Sequence, residues 1–487
     1  MKLYRAISQT IAQFWWLGLL LVGSGAIWKF SSEPEPIGFH LRLGELILAS
    51  SSLPWEDTFS WSAAGMHYAP EEWLHGVVLA ATNASPLLIA VVLLFAGVGV
   101  FLLSQERGQH SIGPWVSLVT YFIFTRHLWS LSPHLWSILL LPYLALYSGR
   151  EHLRARVIAI FLLLLWANFD RGVVAFPLLL CSWLIGAAVE QRSLRPKNAG
   201  TLLFIAAVVL VPVFTPAGFA LYCNFLSAFS GENLYLPQLV GFERPNFHNL
   251  PLFAGAPVLL IFALAKLNRT LPWREVFTLL ASLLMMVFVT RLAPPFMLCL
   301  ALVVGEVAEQ LFQRIKQSES RPSRVAELLL AMGLGASVFY VSNSFEARDP
   351  LWGEVKGVIG EISREYEQRG ATLRLVNDLP IAGELIGVSV PVYIDKRPTL
   401  YRKALEAQTL TGNILSDYTE LFQLKSRWRE VLEFWKFNVA VVSDNNFLPG
   451  LLVEREGWQV VKHLRYRNHP KNIPNPGHGV IILKREH

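Results

Sequence analysis

Long apolar runs alternate with short polar stretches as far as about residue 344, and the pattern then changes. The runs lie at about 11–29, 84–104, 112–126, 134–148, 156–169, 172–190, 199–221, 251–267, 274–290, 293–312 and 325–343. Most approach the roughly 20 residues an α-helix needs to cross a bilayer, so the pattern predicts about eleven membrane helices. The shorter runs at 112–126, 134–148 and 156–169 are expected to be tilted, broken or re-entrant. Beyond residue 344 the period shortens. Glu354 to Arg369 carries an amphipathic helical pattern, 417–436 a second helical one, and 373–378, 390–395, 439–444, 458–464 and 479–485 read as strands. The expectation is a polytopic α-helical membrane domain over 1–344, followed by a soluble α/β domain over 345–487.

Composition sharpens this picture. Apolar residues make up 53% of the 487, charged ones 16%, and the mean hydropathy is +0.41. With the N-terminus inside, the inner loops carry Arg107, Arg150, Arg154, Arg156, Arg192, Arg195, Lys197, Lys266, Arg269, Arg274, Arg314, Lys316, Arg321 and Arg324. The outer loops hold only Arg42, Arg126, Arg171, Arg244 and Arg291. That asymmetry predicts a multi-pass protein of the plasma (inner) membrane with a cytoplasmic N-terminus and an extracytoplasmic C-terminal domain. The run from Ile11 to Ile27 follows Lys2 and Arg5 without a small-residue cleavage site, so an uncleaved first helix is expected. The net charge of +6 is spread over the inner loops and forms no basic tract, which argues against nucleic acid as a partner. Cys181, Cys223 and Cys299 lie in or beside apolar runs and suggest neither a disulfide framework nor a metal site. Neither GxGxxG nor GxxxxGK occurs, and no internal repeat argues for a transporter.

The stretch 31–73 is where chemistry is expected. It holds Glu33, Glu35, Glu45, Glu56, Asp57, Glu71 and Glu72 against a single cation, Arg42. Within it Ile37, Leu41, Gly44 and Leu48 share one side at helical spacing, which suits a helix lying on a membrane surface. Glu33 and Glu35 flank a proline that favours extended backbone, so they either present two carboxylates to a metal or hydroxyl, or form a solvated acidic loop. His40 either contacts a phosphate or moves a proton, or else packs or caps its helix. Glu72 opens a membrane run, where it serves chemistry or complements the helix dipole, and Asp57 precedes a turn that it can cap. Arg126, Arg171 and Arg291 sit at outer membrane edges, where a cation needs a reason. A lipid-linked phosphate is one, and a salt bridge to Asp170 or the loop acids is another. Trp15, Trp16, Trp73 and Trp115 suit interface anchoring, as do Trp129, Trp136 and Trp166, which also suit stacking on a sugar.

Several segments, in order, resemble the GT-C glycosyltransferase superfamily, in particular a bacterial branch with a trailing soluble α/β domain. HLRLGELIL, LPWEDTFSWSAAG and EEWL over 40–74 are similar to that branch's WWHLxxGxxIL, IPxxDPFSxTxxG and HEWL. SPHLWS (132–137) resembles RPHLFS, and LLWANFDRGVV (164–174) resembles LLWANLHGGFV. TPAGFALY (215–222) with GFERPNFHN (241–249) resembles NPYGxxLY followed by EWQxPDFH, and TRLAPPF (290–296) resembles TRNIPLF. VND, AGELIG and YIDKRPTLY (376–401) are similar to FNDYDWGGYLIW and FIDGRxDLY. The chain departs where the branch has aspartates, since Pro34 and Pro36 stand there with Glu33 and Glu35 one residue away. It departs also at Gly38-Phe39, Glu71, Ser132 and Asp170-Arg171.

The resemblance implies transfer of a sugar from a polyprenyl-phosphate donor to a cell-envelope acceptor, outside the cytoplasm and among membrane lipids. It implies Glu33, Glu35, Glu72 and His40 as catalytic residues, with a divalent metal (Mg or Mn) at Glu33 and Glu35. Arg291 would meet the carrier phosphate. Arg126, Asp57, His134, Asp170, Arg171, Glu243 and His248 would line the substrate cavity. The changed positions fit equally a relative that has lost activity and binds lipid-linked glycan or scaffolds envelope assembly.

Overall fold

The computed structural model describes residues 37–85, 87–125, 128–150, 152–191, 199–227, 251–267, 271–317, 351–397, 400–401, 409–465 and 479–485. Glu33, Glu35, Arg126, Glu243 and His248, and the apolar runs at 11–29 and 325–343, lie outside them. The chain is mostly helical and groups into two compact units. In described residues, one holds 84–215 and 251–317, and the other holds 37–83, 216–227 and 351–485. The second unit thus combines the acidic stretch with the C-terminal part.

In chain order the helices are α1 (Ile37–Ser50), α2 (Trp73–Ala81), α3 (Leu87–Glu106), α4 (Gly113–Thr125), α5 (His134–Ser148), α6 (Leu153–Phe169) and α7 (Ala175–Gln191). There follow α8 (Ala199–Leu210), α9 (Ala220–Ser227), α10 (Pro251–Lys266), α11 (Trp273–Phe288) and α12 (Pro294–Gln317). The membrane unit is built from α3 to α8 and α10 to α12. Three of its segments, Leu87–Glu106, Arg171–Glu190 and Pro294–Arg314, are long and apolar enough to cross a bilayer, which makes this an integral membrane protein. The helices at 113–125, 134–148 and 153–169 are short, as the sequence suggested. The run at 199–221 is not one helix: a 3-10 turn at Val211–Phe214 breaks it, with Pro212 supplying no backbone N–H.

The second unit contains a four-stranded mixed sheet of β1 (Leu375–Asn377), β2 (Val439–Ser443), β3 (Gln459–Arg465) and β4 (Gly479–Lys484), in the order β1-β2-β4-β3. β1 pairs parallel to β2, while β4 runs antiparallel to both β2 and β3. Helix α13 (Leu351–Gln368) buries Leu351, Trp352, Val355, Ile359, Ile362 and Tyr366, the stripe expected of an amphipathic helix against a core. One expectation fails here. Residues 390–395 form no sheet strand; instead Val392 makes one bridge to Ser60, with Val392 N donating to Phe59 O and Trp61 N to Val392 O. The acidic stretch has claimed those backbone groups. The pattern at 417–436 divides into α15 (Ile414–Phe422) and α16 (Trp428–Trp435), following α14 (Ala382–Gly387). Leu424 between them sits at φ 51, a left-handed conformation that ends a helix. α17 (Leu448–Glu456) completes the unit.

Candidate functional site

α1 is held on two sides by glycines. A Cβ on Gly44 would lie 1.9 Å from Gly76 O of α2, and one on Gly38 would lie 2.2 Å from Gly383 O of α14. Backbone touching backbone is possible there only without side chains. The helix therefore buries Ile37, Gly38, His40, Leu43, Gly44 and Ile47. That face is rotated from the Ile37, Leu41, Gly44 and Leu48 side predicted for a membrane surface; Leu48 is 50% exposed.

This crossing assembles a polar cluster. Glu72 precedes α2 with φ 57, a backbone conformation that costs a non-glycine residue about 1 kcal/mol or more. Its Oε2 lies 3.7 Å from His40 Nε2, and the His40 ring meets that of His75 edge-on at 5.0 Å. All three side chains are buried. The neighbouring Glu71 accepts a bond from Asn224 Nδ2 at 2.8 Å. A carboxylate beside imidazoles, screened from solvent, is an arrangement that can take up and pass on a proton. Sequence reasoning named His40 and Glu72 but missed His75. Its signal was the spacing Glu72-x-x-His75 across the first turn of a helix.

Asp57 behaves differently. It accepts from Phe59 N at 2.9 Å and from Ser60 N at 3.2 Å, capping the turn, and Ser60 Oγ also donates to it. Arg397 reaches the same carboxylate through Nη1 at 2.6 Å and grips Asp395 in a fork, with Nε 2.8 Å from Oδ1 and Nη2 2.5 Å from Oδ2. The Tyr68 ring lies 4.8 Å from the guanidinium carbon. Burial alone would lower the guanidinium pKa, but Asp395, Tyr401 and Asp57 hold it well above its ordinary value. This is a fixed clamp between the DTFS and IDKR segments. Asp57 is legible from sequence as a turn cap, whereas nothing in YIDKRPTLY singles out Asp395 or Arg397.

The membrane unit has its own cluster. Asp170 ends α6 and caps the 3-10 turn Arg171–Val174, accepting from Gly172 N at 3.0 Å. Arg291, in the 3-10 turn between α11 and α12, brings Nε to 3.0 Å from Asp170 Oδ1 and donates to His134 Nδ1 at 3.1 Å. Ser137 Oγ donates to Asp170 Oδ2 and accepts from Trp166 Nε1 at 2.9 Å. Asp170 is fully buried and Arg291 nearly so, while the His134 side chain is 27% exposed. The salt bridge to Asp170 that was one sequence reading of Arg291 is thus present, and His134 and Ser137 join it. Arg171 is buried in the same turn. Trp166 is buried with its N–H engaged and presents no face to a sugar; Trp136 stacks on Phe169 at 3.9 Å.

For a metal the described donors do not fit. Asp57, Asp395 and Asp170 spend their oxygens on arginine, serine and backbone N–H groups, and among the described residues no three potential ligands converge.

No protein-family model matches the chain, and no curated protein does. Solved structures do match. The oligosaccharyltransferase AglB from Archaeoglobus fulgidus, in complex with an inhibitory peptide and a dolichol-phosphate, is similar over 89% of this chain and 70% of its own, with 12% identity and a TM-score of 0.56. The apo form of the Archaeoglobus fulgidus oligosaccharyltransferase covers the same shares at 13% identity and a TM-score of 0.54. A complex of that protein with Zn and sulfate is similar over 88% of this chain and 67% of its own, at 12% identity and a TM-score of 0.51. At such identities the likeness is one of fold.

Proposed function

We propose that this chain, which has the GT-C fold, is a membrane glycosyltransferase that moves a sugar from a polyprenyl-phosphate donor to a cell-envelope acceptor outside the cytoplasm. The observation that carries the reading is the buried Glu72, held at φ 57 beside His40 and His75. In the reaction, the acceptor hydroxyl oxygen bonds to the anomeric carbon as the bond from that carbon to the carrier phosphate oxygen breaks. The hydroxyl proton passes to the Glu72 carboxylate, and the electron pair leaves on the phosphate. Glu33 and Glu35 are further candidates for the base. Arg291, oriented by Asp170 and His134, is assigned to the phosphate's growing negative charge, which a guanidinium meets well. The Archaeoglobus protein's dolichol-phosphate complex supports a lipid carrier of this class. Its Zn complex motivates a divalent ion, for which Glu33 and Glu35 remain the proposed holders; no step here depends on it.

A second reading has its own observation. Asp57 and Asp395 are described carboxylates that do converge, and Arg397 locks them into structure. That suits a relative which binds lipid-linked glycan without transferring it. Purified protein supplied with radiolabelled sugar on polyprenyl phosphate, with and without Mg or Mn, decides between them. Turnover that falls at least ~100-fold in the Glu33→Ala/Glu35→Ala/Glu72→Ala variant supports the transferase. Undiminished turnover in that variant sinks the assigned base. Saturable carrier binding without turnover favours the binding protein.

A further inference from the structure

We propose that the membrane unit holds one anionic glycerophospholipid in a cavity whose basic edge lies at the end of its helices away from Asp170 and Arg291. The cavity has a volume of about 760 Å³ and lies among α3, α5, α7, α8, α11 and α12. Its walls are apolar, with Phe176, Ile205 and Leu298 among them, while Arg107, Arg150, Arg156 and Arg274 stand at its edge. Trp183, Ile185 and Leu202 line it and are also 39%, 50% and 54% exposed, so one side opens toward the apolar flank of the helices.

The charges at that edge do not cancel. Arg107 pairs with Glu275 at 2.8 Å, Arg150 with Glu106, and Arg274 with Glu190 at 3.7 Å. Arg156 donates to Thr201 Oγ1 at 3.2 Å and lies 5.9 Å from the Phe204 ring centre, and among the described residues it has no carboxylate partner. One cation is therefore left over beside an apolar chamber. Where lipid surrounds a protein, such a cation wants an anion. A phosphodiester headgroup at Arg156 with acyl chains along the walls satisfies both features at once. A free phosphate would leave the apolar walls without a use.

Position supports the choice. Arg156 lies in the first turn of α6 and Asp170 directly follows its last, about 21 Å away at the α-helical rise. Arg274 opens α11 in the same way, and Arg291 follows its end. The basic edge of the cavity is thus distant from the Asp170 cluster, while its apolar walls run along α7 and α12 as far as Phe176 and Pro295. That edge sits at the end that the loop charges assign to the cytoplasm, where anionic lipids concentrate.

Native mass spectrometry of the full chain released from nanodiscs of equimolar phosphatidylglycerol and phosphatidylcholine tests this. The expected result is one tightly retained phosphatidylglycerol. Arg156→Gln should lower its retention about tenfold relative to phosphatidylcholine. Ile205→Trp, which fills the chamber and leaves every charge in place, should expel it. Size-exclusion profiles identify a variant that has failed to fold, and the other variant then decides. Equal retention of the two lipids, or phosphatidylglycerol retained alike by both variants, overturns the proposal. So does retention of added polyprenyl phosphate in place of phosphatidylglycerol. Sugar transfer is not the readout, so this outcome stands apart from the proposed activity.

Discussion

At the scale of single residues, the buried acids of the second unit divide by the company they keep. Asp57 and Asp395 face a guanidinium, which makes their charge affordable inside the fold. Asp378 does not. It is 4% exposed, its Oδ2 accepts from Ser443 N at 2.9 Å, and its Oδ1 has no hydrogen-bond partner among the described residues. Burial pushes its pKa from 3.8 up to about 6, against the opposing pull of Ser443. The folded chain then holds this proton more tightly than the unfolded one. The resulting stabilisation is fully present below pH 3.8, the unfolded value, and is lost as pH rises through about 6. It amounts to about 3 kcal/mol at most. Thermal unfolding of Asp378→Asn should therefore depend less on pH between 4 and 7 than that of the parent protein, the parent losing stability across that window. Parallel curves for the two proteins would rule out Asp378 as the source.

At the scale of elements, the contact of α1 with α2 decides whether His40 meets Glu72 at all. The approach is one of backbones, since a Cβ on Gly44 would stand 1.9 Å from Gly76 O and no flexible side chain can yield. Gly44→Ala should cost at least ~2 kcal/mol, because overpacked contacts relieve themselves only by moving the helices. Leu48→Ala, on the 50% exposed side of α1, serves as the control and should cost far less. Comparable melting temperatures for the two variants would show that the crossing is looser than described. The same contact explains why the helical spacing of Ile37, Leu41, Gly44 and Leu48 misled. A glycine contributes nothing to an apolar stripe, yet here two glycines choose the buried face.

At the scale of the whole molecule, the loop charges predict where each surface lies across the membrane. In a cysteine-free background, a cysteine replacing the exposed Glu454 should react with an impermeant maleimide on intact spheroplasts. One replacing the exposed His110, in a predicted inner loop, should react only after permeabilisation. The reverse pattern would invert the orientation, and with it the proposed side of sugar transfer.

What the sequence determined by itself is whatever depends on neighbours a few residues apart. The apolar runs of α3, α7 and α12, the stripe of α13 and the strands β2 and β4 were legible because local period reports burial directly. Motif order pointed to the fold and, with it, to His40, Glu72, Asp170 and His134, while Arg291 stood out as a cation at an outer membrane edge. Partnership was legible only as an alternative for Arg291, for which a salt bridge to Asp170 was one of two readings. That Arg397 bridges Asp57 and Asp395, and that His75 joins His40, follow from chain crossings between distant segments. Residues 390–395 show the limit plainly: their pattern suits a strand, but the tertiary structure gives their backbone to Phe59 and Trp61. A buried charge or backbone group must find a partner, and only the folded chain decides which one stands within reach.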